Sequence, residues 1–335
     1  MRIGSKPRRR LPAALKLVLA VIVVAAIAYP FRLPPMSRAR SLTFYETDGS
    51  DTARMLRELP DEMRCDIGGA GGMMHVNARI EAPKLDKVPV LRVKQGGLDA
   101  ERIETALGMQ ADNVEIADEG DASYNYLQYH SKYQLLWLDN ASLELHENGD
   151  MKAFVYEPGR MYTADEMMNM LREGGMITGD AQAYSLNDGE LIIIRTIYEQ
   201  LPVSHTFSFD PYTGKPNYGV TFIVEQDKDG SMMSIEGRAL GEAEVIWDSA
   251  RVIPPEEAVR ALAEDTGSED YVNRIVLAYH VRAIPGDPFN VVLYPVWEIY
   301  TSAGGEMNSS IVNAITGHVE QNLAGAMGGT EEVAA

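Results

Sequence analysis

The apolar and polar positions of the chain alternate mainly with a period of two, which predicts a strand-rich body. The predicted strands lie at 73–82, 87–94, 124–139, 142–157, 190–199, 219–237, 274–281 and 310–320. Asn148-Gly149 supplies the positive φ that a hairpin turn between two of them needs. Helices are expected to begin near Asp51, Asp99, Thr163 and Pro255, where cap or first-turn residues precede apolar stripes.

The second half of the chain carries one pattern twice. In each copy a helix is followed by an apolar strand and then by a Pro-Val phrase, Leu201-Pro202-Val203 or Tyr294-Pro295-Val296. Each copy then ends in a strand, a glycine turn and another strand. A helix lying across meandering strands can bury its apolar face, so the pattern predicts an α+β fold of antiparallel sheets, each with a helix on one face.

The N-terminus has a separate pattern. Residues 1–10 are basic, and residues 11–31 are apolar except for Lys16. Twenty-one residues at about 1.5 Å each span about 31 Å, close to a bilayer core, so we expect a single transmembrane helix. The basic residues before it place the N-terminus in the cytoplasm and the body outside. The alternative is a signal peptide cleaved near Ala28, after which the body is secreted.

These patterns divide the chain into consecutive segments. They are a cytoplasmic basic tail (1–10), the transmembrane helix (11–31), a linker and short helix (32–60), an N-terminal strand-rich domain (61–158), a first helix-plus-sheet module (159–246), a second such module (247–322) and a disordered tail (323–335).

Charge and cysteine content narrow the class of protein. The formal net charge is −19. Residues 1–31 hold six basic residues and no acid, so the remainder carries 30 − 6 = 24 basic against 49 acidic residues, a net charge of −25. Such an acidic body repels nucleic acid, which we therefore exclude as a partner. Cys65 is the only cysteine, so neither an internal disulfide nor a multi-cysteine zinc site is possible.

No motif predicts catalytic, cofactor-binding or metal-binding residues. Residues 225–236 mimic a calcium loop, but strand-like flanks favour a hairpin. The glycine run 68–72 lacks the residues of a phosphate loop, and the six histidines lack metal-ligand spacing. Two alternatives stay open: a glycan- or peptide-binding surface of the cell envelope that includes Tyr124, Tyr126 and Tyr129, and a hydrolase whose carboxylates meet only in space.

The stretch 291–320 is predicted to be architecture, with Trp297 in the core, Asn313 bonded to backbone and Pro295 at a strand edge, start or bulge. Three phrases resemble a PepSY domain and the related modules of the YycH and YycI regulators: Pro-Glu-Glu-Ala (255–258), Tyr-Pro-Val-Trp-Glu-Ile (294–299) and Val-Asn-Ala-Ile-Thr-Gly (312–317). The resemblance covers residues 250–320 well and 160–240 more faintly. The part around Val88-Pro89-Val90 is similar to envelope proteins of Gram-positive bacteria.

The resemblance implies a single-pass anchor and an extracytoplasmic body of helix-on-sheet modules. It also implies regulation by protein contact, for example on a membrane histidine kinase, a transporter or a protease. It supplies no catalytic residue, so we expect a regulator or sensor and not an enzyme.

Overall fold

The computed structural model describes most of the chain after residue 49. The described residues are 50–69, 72–109, 115–117, 122–124, 129–131, 133–146, 149–204, 208–209, 216–217, 222–266, 269–284, 287–303 and 306–321. The predicted transmembrane helix and the predicted C-terminal tail lie outside them. No helix among the described residues combines the length and the apolarity that crossing a membrane requires.

Four helices lie in the described part of the chain, each close to its predicted position. They are α1 (Ser50–Glu58), α2 (Ala100–Leu107), α3 (Ala164–Glu173) and α4 (Pro255–Asp265). Asp99 caps α2, and Gly108 ends it in the left-handed region with a φ of 67°. Thr163 and Glu166 form the predicted capping box at the start of α3.

The strands account for most of the remaining described residues. They are β1 (Glu62–Gly68), β2 (Met73–Glu81), β3 (Val90–Gln95), β4 (Glu115–Ala117), β5 (Ala122–Tyr124), β6 (Tyr129–Ser131), β7 (Tyr133–Leu138), β8 (Ala141–His146), β9 (Asp150–Tyr156), β10 (Asp180–Leu186), β11 (Leu191–Tyr198), β12 (Leu201–Pro202), β13 (Ser208–Phe209), β14 (Pro216–Asn217), β15 (Phe222–Gln226), β16 (Met232–Arg238), β17 (Leu240–Trp247), β18 (Asp270–Ile284), β19 (Asp287–Ala303), β20 (Glu306–Asn313) and β21 (Val319–Gln321). A 3₁₀ turn at Asn187–Gly189 joins β10 to β11.

The strands form two large sheets. Sheet A has the order β1-β2-β18-β19-β20-β21, and β3 pairs with both β19 and β17. Sheet B has the order β10-β11-β15-β16-β9-β8-β7-β4, with β12 on β11. Among the described strands, β5 pairs with β6 and β13 with β14. The expectation of purely antiparallel sheets is wrong for β2 and β18, which pair in parallel. They come from opposite ends of the body, so no tight turn dictates their direction.

Each sheet carries helices on one face, and the predicted α+β class is confirmed. Side chains of α1 and α4 share a core with sheet A, and α2 and α3 share a second core with sheet B. The prediction of one helix per sheet was incomplete, since two helices contribute to each core. The copies predicted to repeat each form a helix followed by a four-stranded antiparallel meander: α3 with β10, β11, β15 and β16, and α4 with β18 to β21.

The predicted segments contribute to the sheets as follows. Residues 61–158 supply β1 to β3 to sheet A, and β4 and β7 to β9 to sheet B. Residues 159–246 build the rest of sheet B (β10 to β12, β15 and β16), while β17 joins sheet A. The two sheets therefore draw on interleaved stretches of sequence.

Pro295 departs from its predicted place, because it lies inside the 17-residue strand β19. One edge of β19 pairs with β3 through Leu293 and with β20 from Val296 onward. The carbonyl of Pro295 accepts from Ala314 N on that edge, so its missing N–H faces the gap between the two neighbouring strands. A proline is tolerated there because the carbonyl opposite its nitrogen, Ala314 O, accepts the N–H of Ile253 at 2.8 Å instead.

Candidate functional site

A surface cluster on sheet A brings together residues that are far apart in sequence. His75 of β2 is held between two carboxylates, with Nδ1 2.8 Å from Asp66 Oδ1 and Nε2 2.9 Å from Glu269 Oε1. The imidazole stacks on the ring of Tyr271 at a centroid distance of 5.0 Å. These hydrogen bonds, first to Asp66 and then to Glu269, raise the pKa of His75 above its ordinary value.

The cluster lies on the face of sheet A that carries no helix. Met74 and Val76 point into the core with α4, so the alternating residues Met73 and His75 point the opposite way. Tyr271 is 57% exposed and Met73 is 40% exposed. We call Asp66, Met73, His75, Glu269 and Tyr271 the His75 patch.

An open groove follows the outer edge of β1. It has a volume of about 550 Å³ and is lined by all of β1 (Glu62–Gly68) with Glu256 and Arg260 of α4. The exposed thiol of Cys65 lies in this groove. Burial, and then the nearby charges of Glu256 and Asp66, raise the pKa of the thiol, which keeps it protonated at neutral pH.

The glycine run has a structural role at its described positions. Gly69 N donates to Gly72 O at 2.9 Å and closes the turn between β1 and β2. A Cβ on Gly69 would lie 2.3 Å from backbone atoms of Ala263, so the chain passes too close to α4 for any side chain. This close approach accounts for glycine at position 69, so the explanation needs no bound phosphate.

A fully buried ion pair joins the two sheets. Arg195 of β11 and Glu298 of β19 both have side-chain exposures of 0%, with Nη2 and Oε2 2.8 Å apart. Arg195 Nε donates to Val203 O at 2.7 Å, and Ser204 Oγ donates to Glu298 Oε1 at 3.2 Å. Arg195 Nη1 has no hydrogen-bond partner within the described residues. The pair stabilises the contact between the two sheets, because separating them would leave each buried charge without its partner.

Most residues that were candidates for a functional site from the sequence have structural roles in the fold. The calcium-like loop is the β15–β16 hairpin, in which Ser231 bonds Asp227 and Asp229 and Gly230 has a φ of 70°. Trp297 is buried and donates from Nε1 to Ile253 O at 2.9 Å. Asn313 Oδ1 accepts from the backbone N–H groups of Ile315 and Thr316, as predicted.

His146 and His280, which were also considered from the sequence, lie on different sheets. His146 is buried beside Glu144 on sheet B, and His280 lies edge-on to Tyr294 on sheet A. Within the ranges that the structure describes, no cluster of histidine, cysteine and acidic residues could hold a metal ion. The side chains of Tyr124, Tyr126 and Tyr129 lie outside the description.

Sequence reasoning missed the His75 patch. Its members come from β1, β2 and the start of β18, and β1 was not predicted as a strand. The alternation in β2 places His75 opposite the core residues, but only the parallel pairing of β2 with β18 brings Tyr271 beside it.

No protein-family model matches the chain, and no curated protein matches it. Among solved structures, it is similar to an uncharacterized protein from Eubacterium rectale (TM-score 0.47, 14% identity, 82% of this chain and 99% of that one). It is also similar to YycH from Bacillus subtilis (0.39, 13%, 77% and 59%) and to the YpeB C-terminal domain from Bacillus megaterium (0.36, 10%, 66% and 93%). The chain thus spans 59% of the YycH structure. YycH is one of the families that residues 255–317 resemble, and these likenesses concern the fold alone.

Proposed function

We propose that the chain is a regulatory or sensor protein that acts by binding another protein. Its body lies outside the cytoplasm, and the helix at residues 11–31 anchors it in the membrane. The charge bias of the N-terminal segment supports this orientation, since six basic residues and no acid lie in residues 1–31. The partner is a membrane protein, such as a histidine kinase, a transporter or a protease.

The observation that carries the proposal is the His75 patch. Tyrosine and methionine are enriched at protein interfaces, and here both are exposed on strands that the sheet holds rigid. Asp66 and Glu269 add negative charge around Tyr271. An exposed aromatic side chain that stacks on a histidine held by two carboxylates fits a partner surface that presents apolar groups next to lysine or arginine.

The test is capture of the partner from solubilised membranes by the tagged full chain. Tyr271→Ala should lose most of the captured protein, because the substitution removes the exposed anchor and leaves the sheet intact. Phe289→Ala is the matched control, since Phe289 is an exposed aromatic (46%) elsewhere in sheet A. Equal capture by both variants and the wild type would assign the contact to another surface. Absence of any specific partner in all growth conditions would contradict the proposal.

Localisation and catalysis have tests of their own. A reporter fused after Ala335 should be active only outside the cytoplasm, and activity in the cytosol would refute the orientation. An activity screen of residues 41–322 separates the regulator from the hydrolase alternative. Binding to purified wall material separates it from the glycan-binding alternative.

A further inference from the structure

Within the part of the chain that the structure describes, the outer edge of β1 offers unpaired backbone groups. Among the described strands, β1 pairs only with β2 and ends sheet A. Ile80 N donates to Asp61 O, and Gly69 N donates to Gly72 O, so the odd-numbered residues of this antiparallel pair bond to β2. Because such bonding alternates along a strand, residues 62, 64, 66 and 68 point their N–H and C=O groups outward.

The side chains along this edge are complementary to themselves. In an antiparallel pairing of two β1 strands centred on Cys65, Arg64 lies opposite Asp66 of a second copy, and Met63 lies opposite its Ile67. Opposite charges and apolar pairs therefore face each other on both sides of the axis, a pattern that stabilises cross-strand contacts.

Neighbouring registers lack this complementarity. A pairing centred on Arg64 places the two Arg64 side chains opposite each other and Glu62 opposite Asp66. A pairing centred on Asp66 places the two Asp66 carboxylates together. Like charges directly opposite each other destabilise a strand pair, which disfavours both of these registers. A pairing centred on Met63 also sets Glu62 opposite Arg64, but it overlaps only residues 62–64 of β1, whereas the pairing centred on Cys65 overlaps the whole strand. Charge and overlap together therefore select the register centred on Cys65.

We propose that the chain forms a homodimer in which β1 pairs antiparallel with β1 of a second copy, centred on Cys65. The two A sheets then form one continuous sheet around a two-fold axis normal to it. The groove lined by Glu256 and Arg260 closes at this junction, and the two His75 patches lie side by side on one face. The dimer uses the edge of β1, whereas the proposed partner contact centres on Tyr271; the two share Asp66, but the dimer does not depend on capture of a partner.

Cys65 provides the first test because it is the only cysteine of the chain. In the proposed register it occupies a non-hydrogen-bonded pair, where the two Cα atoms lie about 4.5 Å apart, within the span of a disulfide. Mild oxidation of the purified full chain should therefore give a reducible covalent dimer. The control moves the cysteine to the exposed helix position 54 (Cys65→Ser with Arg54→Cys) and should give no covalent dimer under the same oxidation, because position 54 lies on α1 and away from the β1 edge. Equal cross-linking of both proteins would overturn the proposal.

Charge reversal provides the second test, read by analytical ultracentrifugation. Arg64→Asp and Asp66→Arg should each weaken self-association about tenfold, because each creates two like-charge contacts across the axis. The double variant restores opposite charges and should restore the dimer, which a merely misfolded edge could not do. Arg54→Asp is the matched control on α1 and should leave the dimer unchanged.

Two outcomes refute the dimer. One is a wild-type chain that sediments as a monomer and does not cross-link. The other is a double variant that keeps its thermal unfolding transition and remains as monomeric as the single variants. A monomer that instead binds a strand-forming peptide along β1 would overturn the dimer and assign the edge to a heterologous strand. Neither result depends on whether a membrane partner is captured.

Discussion

The contribution of the buried Arg195–Glu298 ion pair to the free energy of unfolding can be measured by substituting its carboxylate. Glu298→Gln keeps the size of the side chain and removes its charge. Arg195 then stays at 0% exposure with its carboxylate partner replaced by a neutral amide. Loss of one member of a buried pair costs about 3–5 kcal/mol, because the remaining charge is desolvated without compensation. That cost is a large share of the roughly 5–15 kcal/mol that stabilises a typical domain.

The assay is urea unfolding of the full chain, followed by circular dichroism and tryptophan fluorescence. Glu298→Gln should lower the midpoint without a matching change in the denaturant slope. Glu190→Gln is the matched control: Glu190 pairs with Lys228 at 3.3 Å and is 40% exposed. Its loss should change stability little, since exposed ion pairs contribute little.

A double variant separates the pair from its surroundings. Arg195→Met with Glu298→Leu removes both charges and should recover most of the stability lost by Glu298→Gln, because no unpaired charge remains. Additive losses in the double variant would refute the reasoning. So would a loss below about 1 kcal/mol for Glu298→Gln, because a carboxylate that is truly desolvated beside Arg195 cannot be neutralised so cheaply.

Three further predictions follow from local contacts. The pKa of His75 is raised in the folded protein, so the contacts of its protonated imidazole contribute full stability below the unfolded pKa of about 6.5, and this contribution is lost as pH rises through the folded pKa. Asp66→Asn should lower the pKa of His75 in an NMR titration, and an unchanged pKa would contradict the contact. Burial, with the charge of Arg282, lowers the pKa of His280 to about 4, so stability should fall by up to about 3 kcal/mol as pH drops from 6.5 to 4; a loss equally steep in His280→Gln would exclude His280 as the cause. Thr163→Ala removes the cap of α3 and should cost about 1 kcal/mol in urea unfolding, whereas an unaltered midpoint would mean that the capping box adds nothing.

Local signals predicted much of the secondary structure. The cap residues Asp99 and Thr163 mark α2 and α3 because their side chains bond the first free N–H groups of the helix. The Gly149 turn between β8 and β9 follows equally from local chemistry, since the residue has a φ of 86°.

Strands with weak alternation were missed. In β1 nearly every residue is at least partly exposed, with Ile67 the buried exception, and in β17 Glu242, Glu244 and Val245 are all exposed. A strand of this kind is held by its neighbours and not by its own pattern. β1 lies at the end of sheet A beside β2, and β17 pairs with β3, so both depend on partners that the local sequence does not name.

Pairing between distant segments therefore creates the surfaces on which the proposals rest. His75 and Tyr271 meet only because β2 and β18, nearly two hundred residues apart, lie side by side in parallel. Sheet A continues from β1 to β2 and then to β18, so the outer edge of β1 is unpaired among the described strands. The self-complementary order of Met63, Arg64, Cys65, Asp66 and Ile67 was present in the sequence throughout. The hydrogen bonds between β1 and β2 show which residues of β1 turn their backbone groups outward, and these groups are what a second copy could pair with. The same residues in a central strand could not pair with a second copy, because both edges of a central strand are occupied.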